Sequence, residues 1–130
     1  MLENYENIII YGLGQSGISS YEKLKDTKNI FIWDDCEKKR KELEKKGYEF
    51  NEPRKWPWEK IDLLISSPGI ALNFGANSFI LKESKKNNIK IVGDIEVFHQ
   101  ELKSLEIRKK IIAVTGTNGK STFVSVLNEI

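Results

Sequence analysis

The sequence predicts an α/β fold, a mostly parallel sheet of four to five strands with helices flanking it. Three observations predict it. Short continuous apolar runs, among them Ile8-Ile9-Ile10-Tyr11 and Ile30-Phe31-Ile32-Trp33, read as strands buried on both faces. Segments of helical spacing alternate with these runs, the pattern that builds parallel sheets through βαβ crossovers. A glycine turn follows the first run directly and opens a helix, which makes the fold Rossmann-like.

Each element has its own local reason. After Ile8–Tyr11, the residues Ile18, Tyr21 and Leu24 recur at helical spacing. Asn29–Trp33 is a second strand, ending at Asp34-Asp35. Glu37–Lys46 is highly charged with Leu43 as its one strong apolar anchor, a solvated surface helix stopped by Gly47. Tyr48–Phe50 is expected to form a short third strand, and Asn51–Lys60, with Pro53, Trp56, Pro57 and Trp58, a loop. Ile61–Ile65 is the next strand, closed by Ser66-Ser67-Pro68-Gly69. Asn77–Asn87 reads as a helix with Phe79, Ile80 and Leu81 facing inward, and Ile89–Val92 as a strand. Asp94 is positioned to cap a following helix, with Glu96 in its first turn. Lys103–Lys110 is charged and fits a linker, and Ile111–Val114 is expected to be a last strand.

Composition narrows the function classes. The chain has 130 residues, 39% of them hydrophobic, which suits one compact domain and not two. With 21 basic and 19 acidic residues the net charge is +2, far from the footprint of a sequence-independent nucleic-acid binder. Cys36 is the only cysteine, which excludes an intrachain disulfide and a CxxC zinc site, and His99 is the only histidine, which argues against a His-rich metal site or a chain-internal Ser-His-Asp triad. No apolar run approaches the roughly 18 residues of a membrane span, and the polar, acidic start is not a signal peptide. The expectation is a soluble protein of a reducing, cytoplasmic compartment, with no nucleic acid and no membrane as partner.

Three segments carry chemistry. In Gly12-x-Gly14-x-x-Gly17 the glycines let the backbone approach a diphosphate, which the free N–H groups of the helix start then hold. Asp34, at the end of the next strand, suits a ribose or a base as a hydrogen-bond acceptor. In Gly116-Thr117-Asn118-Gly119-Lys120-Ser121-Thr122 two residues separate the glycines, where a standard Walker A loop has four. The backbone would cradle phosphates, Lys120 would neutralise β/γ charge, and the Ser121 hydroxyl would reach Mg²⁺. Ser67-Pro68-Gly69 lies at the C-terminal end of a strand, the edge where open α/β sheets bind ligands, though by itself it reads as an ordinary turn. Cys36, His99, Trp56, Trp58 and the Lys38–Lys46 run read as surface or packing residues.

With these residues in hand, the chain resembles the Mur ligase family. Four segments carry the resemblance in order: Gly12–Gly17, Ser67-Pro68-Gly69-Ile70-Ala71-Leu72, Ile91–Phe98 with its Gly-Asp-Ile-Glu, and Ala113–Thr122 with the shortened phosphate loop. The Ser-Pro-Gly-Ile and Gly-Asp-Ile-Glu segments are similar to those of the D-glutamate-adding member. The resemblance implies an ADP-forming amide ligase of peptidoglycan synthesis, monomeric, with ATP and Mg²⁺ as cofactors and UDP-N-acetylmuramoyl-L-alanine and D-glutamate as substrates. It implies that Gly14, Gln15, Ser16 and Gly17 contact the UDP diphosphate, that Asp34 and Asp35 hold the uracil end, and that Ser67, Pro68 and Gly69 line the same ligand. Gly116 through Thr122 would bind ATP, with Lys120 catalytic and Ser121 on the metal. Cys36 stands where relatives can carry a basic residue, and Gln15 replaces an apolar one. Residues 1–105 would form the UDP-precursor-binding domain and 106–130 the start of a central ATPase domain, so the chain is expected to be a fragment inactive alone. The rival from the glycine turn and Asp34 alone is a regulatory NAD(H)-binding module, which has no need of the second phosphate loop. A third reading is a non-catalytic UDP-sugar-binding domain.

Overall fold

The computed structural model describes residues 2–68, 70, 78–104, 112 and 114–129. Four strands, β1 (Asn7–Tyr11), β2 (Asn29–Trp33), β3 (Leu63–Ser66) and β4 (Lys90–Gly93), form one all-parallel sheet in the order β2-β1-β3-β4. The helices are α1 (Gln15–Leu24), α2 (Glu37–Glu44), α3 (Phe79–Lys86), α4 (Asp94–Ser104) and α5 (Lys120–Leu127). Within the register, Ile10 of β1 lies beside Ile32 of β2 and Ile65 of β3.

The continuous apolar runs are explained by burial on both faces. Successive strand residues point to opposite sides. Ile8, Ile10, Ile32, Leu63, Ile65 and Val92 therefore enter one core, which Leu24 of α1, Leu43 of α2 and Val97 of α4 complete. Ile9, Tyr11 and Leu64 enter the other, with Ile80 and Leu81 of α3. Trp56 and Trp58 close that second face. Their rings sit 5.5 Å apart, and each indole N–H donates to a backbone carbonyl, Asn51 at 3.0 Å and Pro53 at 2.9 Å. They are packing residues, as the sequence suggests: Trp56 directly follows the short 3-10 turn Pro53–Lys55, and Trp58 opens the next, Trp58–Lys60.

Two expectations need correction. Tyr48–Phe50 is not a strand. The Tyr48 N–H is used 3.2 Å from the Leu43 carbonyl, and the Gly47 N–H 3.0 Å from that of Glu44, the paired bonds of a Schellman turn with Gly47 at φ +91°. Side-chain packing then holds the segment: Tyr48 lies 5.3 Å from the Tyr21 ring, and Phe50 meets the edge of Trp33. The final expected strand is also missing where it can be seen. Ile112 and Val114 have no regular structure, and Ile112 is 66% exposed. No neighbouring strand among the described residues pairs with them, and an isolated strand has nothing to satisfy its backbone. Residues 111 and 113 lie outside the described residues, as do 105–110 of the expected linker and 77 at the expected helix start.

Candidate functional site at the sheet edge

The chain runs from β1 out to β2 on one side and from β3 out to β4 on the other. The C-terminal ends of β1 and β3 thus flank the point where the connections diverge, the place where open α/β sheets bind ligands. The glycine turn leaves β1 there and Ser67-Pro68 leaves β3 there. They are stitched together. The Ser67 hydroxyl donates to the Gly12 carbonyl at 2.7 Å, and the Ser67 N–H to the Tyr11 carbonyl at 3.0 Å. Gly69 and residues 71–77 are outside the described residues.

The three glycines of the turn have different jobs. Gly12 has φ +91°, and an added Cβ would stand 2.9 Å from the Ser67 Cβ. At Gly17 an added Cβ would stand 2.0 Å from the Gly12 carbonyl oxygen, so this residue lets α1 close onto the turn. Gly14 has nothing within 4 Å of its Cβ position. The fold itself makes no use of that missing side chain. Gly14 also precedes α1, whose first intrahelical bond is Ile18 N–H to the Gly14 carbonyl at 3.0 Å. The N–H groups of Gln15, Ser16 and Gly17 come before that bond, the arrangement that favours an anion.

The acid pair at the end of β2 is divided in its work. Asp34 organises the loop itself. Its Oδ2 accepts from the Leu13 N–H at 2.8 Å and lies 3.2 Å from Lys39 Nζ, and its Oδ1 accepts from the Cys36 N–H at 3.0 Å. Burial raises its pKa, but the Leu13 and Cys36 N–H groups and then Lys39 outweigh that and hold it below the ordinary value. Arg40 donates to the Asp34 carbonyl at 2.6 Å and stacks 4.2 Å from the Trp33 ring. Lys39 and Arg40 therefore belong to this corner and not to the solvated face of α2, where charge patterning alone places them. Cys36 is exposed at the start of α2.

Asp35 is exposed and shared by two strand ends. The Trp33 indole N–H donates to its Oδ1 at 3.2 Å, and the Tyr11 hydroxyl to its Oδ2. Tyr11 is buried at its ring and bonds Ser78 Oγ at 2.8 Å. Its pKa is pushed up to about 12 by burial and then by the Asp35 hydrogen bond. Sequence reasoning missed Tyr11. The only available signal was a hydroxyl-bearing residue closing an otherwise aliphatic run.

The second glycine loop is locally formed. Gly116 (φ +152°) and Gly119 (φ +78°) take the backbone values that glycine permits, and α5 begins at Lys120. Lys120 Nζ donates to the Gly116 carbonyl across the loop. A hollow of about 480 Å³ lies against Thr115, Asn118, Gly119 and Lys120. A helix start with a lysine folded over the preceding glycine loop is an arrangement that could take a phosphate chain. Thr117, Ser121 and Thr122 are exposed around it. Among the described residues no group of His, Cys, Asp and Glu could by itself hold a metal ion. A magnesium here would depend on the Ser121 hydroxyl and the phosphates. No described helix is long and apolar enough to cross a membrane.

An all-parallel four-stranded sheet flanked by helices, with a glycine turn and an acid pair at its switch point, defines an α/β protein of the Rossmann-like type. No family model matches the chain. It is 38% identical over 96% of its length to UDP-N-acetylmuramoylalanine--D-glutamate ligase of Rickettsia bellii, covering 26% of that protein. It is 34% identical over 99% of its length to the ligase of the same name from the Wolbachia of Brugia malayi, again covering 26%. The Rickettsia prowazekii ligase is 35% identical, with 96% of this chain and 27% of the relative aligned. The chain is a homologue of the Mur ligases, and among them of the D-glutamate ligases, and spans about a quarter of their length.

Proposed function

We propose that this chain supplies the UDP-precursor-binding part, and the opening phosphate loop of the ATP-binding part, of an ADP-forming ligase. That ligase adds D-glutamate to UDP-N-acetylmuramoyl-L-alanine in cytoplasmic peptidoglycan synthesis. Residues 1–105 are the nucleotide-precursor domain and 106–130 begin the next. One observation supports this above others: in a chain similar throughout to D-glutamate ligases, Gly14 has a side-chain space that the fold leaves open, beside free helix N–H groups and the acid pair. Gly14, Gln15, Ser16 and Gly17 take the diphosphate, Asp35 and the neighbouring Asp34 loop take the uracil end, and Ser67 and Pro68 line the crevice, with Gly69 assigned to the same ligand by the sequence resemblance alone.

In the reaction, the L-alanine carboxylate attacks the γ-phosphate of ATP, giving an acyl phosphate and ADP. The D-glutamate amine then attacks the acyl carbon, and phosphate leaves. Gly116–Thr122 hold the triphosphate through backbone N–H groups, and Lys120 offsets charge on the transferring group. Ser121 and the phosphates would hold Mg²⁺, which would supply further charge neutralisation.

Titration of the protein with UDP, UDP-N-acetylmuramoyl-L-alanine and NAD⁺, followed by amide NMR, tests the first half. The uridine nucleotides should shift Gly14–Gly17 and Asp34-Asp35. Shifts with NAD⁺ and none with either uridine ligand would overturn the reading.

A further inference from the structure

We propose that Tyr11 is a positioning residue for the uridine corner, its hydroxyl fixing Asp35 and tying it to Ser78 at the start of α3. The inference rests on the uridine reading of this sheet edge. Tyr11 is the last residue of β1, and its ring lies in the core beneath α3 while its hydroxyl reaches the rim. A phenol has one proton, and an ionised carboxylate only accepts. Tyr11 therefore donates to Asp35, and the Ser78 hydroxyl, 2.8 Å away, donates to Tyr11. With the Trp33 indole on the other oxygen, both Asp35 oxygens are held from the ends of β1 and β2. Each oxygen keeps a lone pair for a ligand N–H.

Ser78 is turned toward Tyr11 and does not cap its helix. It occupies the N-cap position of α3, where a serine hydroxyl ordinarily accepts a backbone N–H, yet its side chain makes no cap bond. It is engaged with Tyr11 instead. The first turn of α3 and the carboxylate that meets the base are thus joined through one hydroxyl.

Tyr11→Phe keeps the ring and removes only that hydroxyl. In the 130-residue protein, UDP binding should weaken about tenfold, the loss expected when a charge-assisted bond ceases to orient an acceptor. Binding of inorganic pyrophosphate, followed by the amide shifts of Gly14–Gly17 so that any binding at Gly116–Thr122 is read separately, should stay within about twofold of wild type. Ser78→Ala, which leaves the Tyr11–Asp35 bond, should weaken UDP less than Tyr11→Phe does. Unchanged UDP binding in Tyr11→Phe, or equal loss of UDP and pyrophosphate, would overturn the proposal. A ligand-free readout separates it from the uridine reading. The Trp33 indole N–H resonance should move in Tyr11→Phe, because its acceptor is released. If wild type binds UDP no better than pyrophosphate, the uridine reading fails; if the indole signal does not move, the positioning role fails.

Discussion

Gly14 and Gly17 are alike in a pattern search and opposite in the structure, and that contrast is testable. Gly17→Ala drives a methyl into the Gly12 carbonyl, 2.0 Å away, between backbone segments that cannot rotate aside. Its cost should reach or exceed the top of the roughly 1–3 kcal/mol of ordinary overpacking. Gly14→Ala meets nothing, so its denaturation midpoint should stay near wild type while UDP binding falls as the methyl occupies the diphosphate approach. A Gly14→Ala protein that binds UDP normally would remove the diphosphate from this turn. Asp34 carries a pH signature. Its folded-state pKa is lowered, so the stability it contributes is fully present above the unfolded value of about 3.9. That contribution is lost as acid takes the pH down through the lower folded value. Acid titration of unfolding should therefore show a wild-type decline below about pH 4 that is shallower in Asp34→Asn. At this scale the glycine turn and the place of Asp34 at the end of β2 were legible, because a tight strand-to-helix turn demands glycine at particular spacings. The partners of Asp34 were not. Lys39 and Arg40 sit in a charge run whose pattern is equally that of a solvated helix, and only tertiary contact separates two of its cations from the others.

Elements were read well where one local cause determines them. The four strands of the sheet were visible because burial on both faces leaves an uninterrupted apolar run, and α2 was visible by its Gly47 stop. Tyr48–Phe50 misled because alternating aromatic residues suit a strand and an ordinary packed segment equally. The structure adds a liability in α3. Ser84 is fully buried, and its hydroxyl has no hydrogen-bond partner among the described residues. Ser84→Ala should raise stability by about 1 kcal/mol, since an unsatisfied buried hydroxyl retains its desolvation cost. A loss of stability on urea denaturation would show that the hydroxyl is satisfied in solution. A second expectation concerns α5. Phe123, Val124 and Val126 are each about half exposed, and the strand expected to lead into the loop is not formed at Ile112 and Val114. An element with so little burial opens locally at low free energy. In a demonstrated monomer, amides of α5 should exchange much faster than those of Ile8–Tyr11, and equal protection would contradict this.

At the scale of the whole molecule, the two glycine loops differ in how much of their surroundings this chain carries. The first stands at a switch point between paired strands, over two packed cores. The second has its helix but no packed support among the described residues. The chain spans about a quarter of the ligases it matches. The proposed ligation requires an acyl phosphate to form and then meet an amine, so groups must be positioned on both sides of the reacting carbon. A lysine and one serine do not position three reactants. The 130-residue chain should therefore bind UDP-N-acetylmuramoyl-L-alanine and yet release no phosphate with ATP, Mg²⁺ and D-glutamate present. In a chain extended to the length of the relatives, turnover should appear. Lys120→Ala should then cut kcat by about a hundredfold or more, the scale for removing one preorganised charge-stabilising group. UDP-precursor binding should be little changed, because the first loop is untouched. Substrate-dependent phosphate release by the 130-residue chain would place the catalytic centre within it. Indifference of the extended enzyme to Lys120→Ala would move ATP away from Gly116–Thr122.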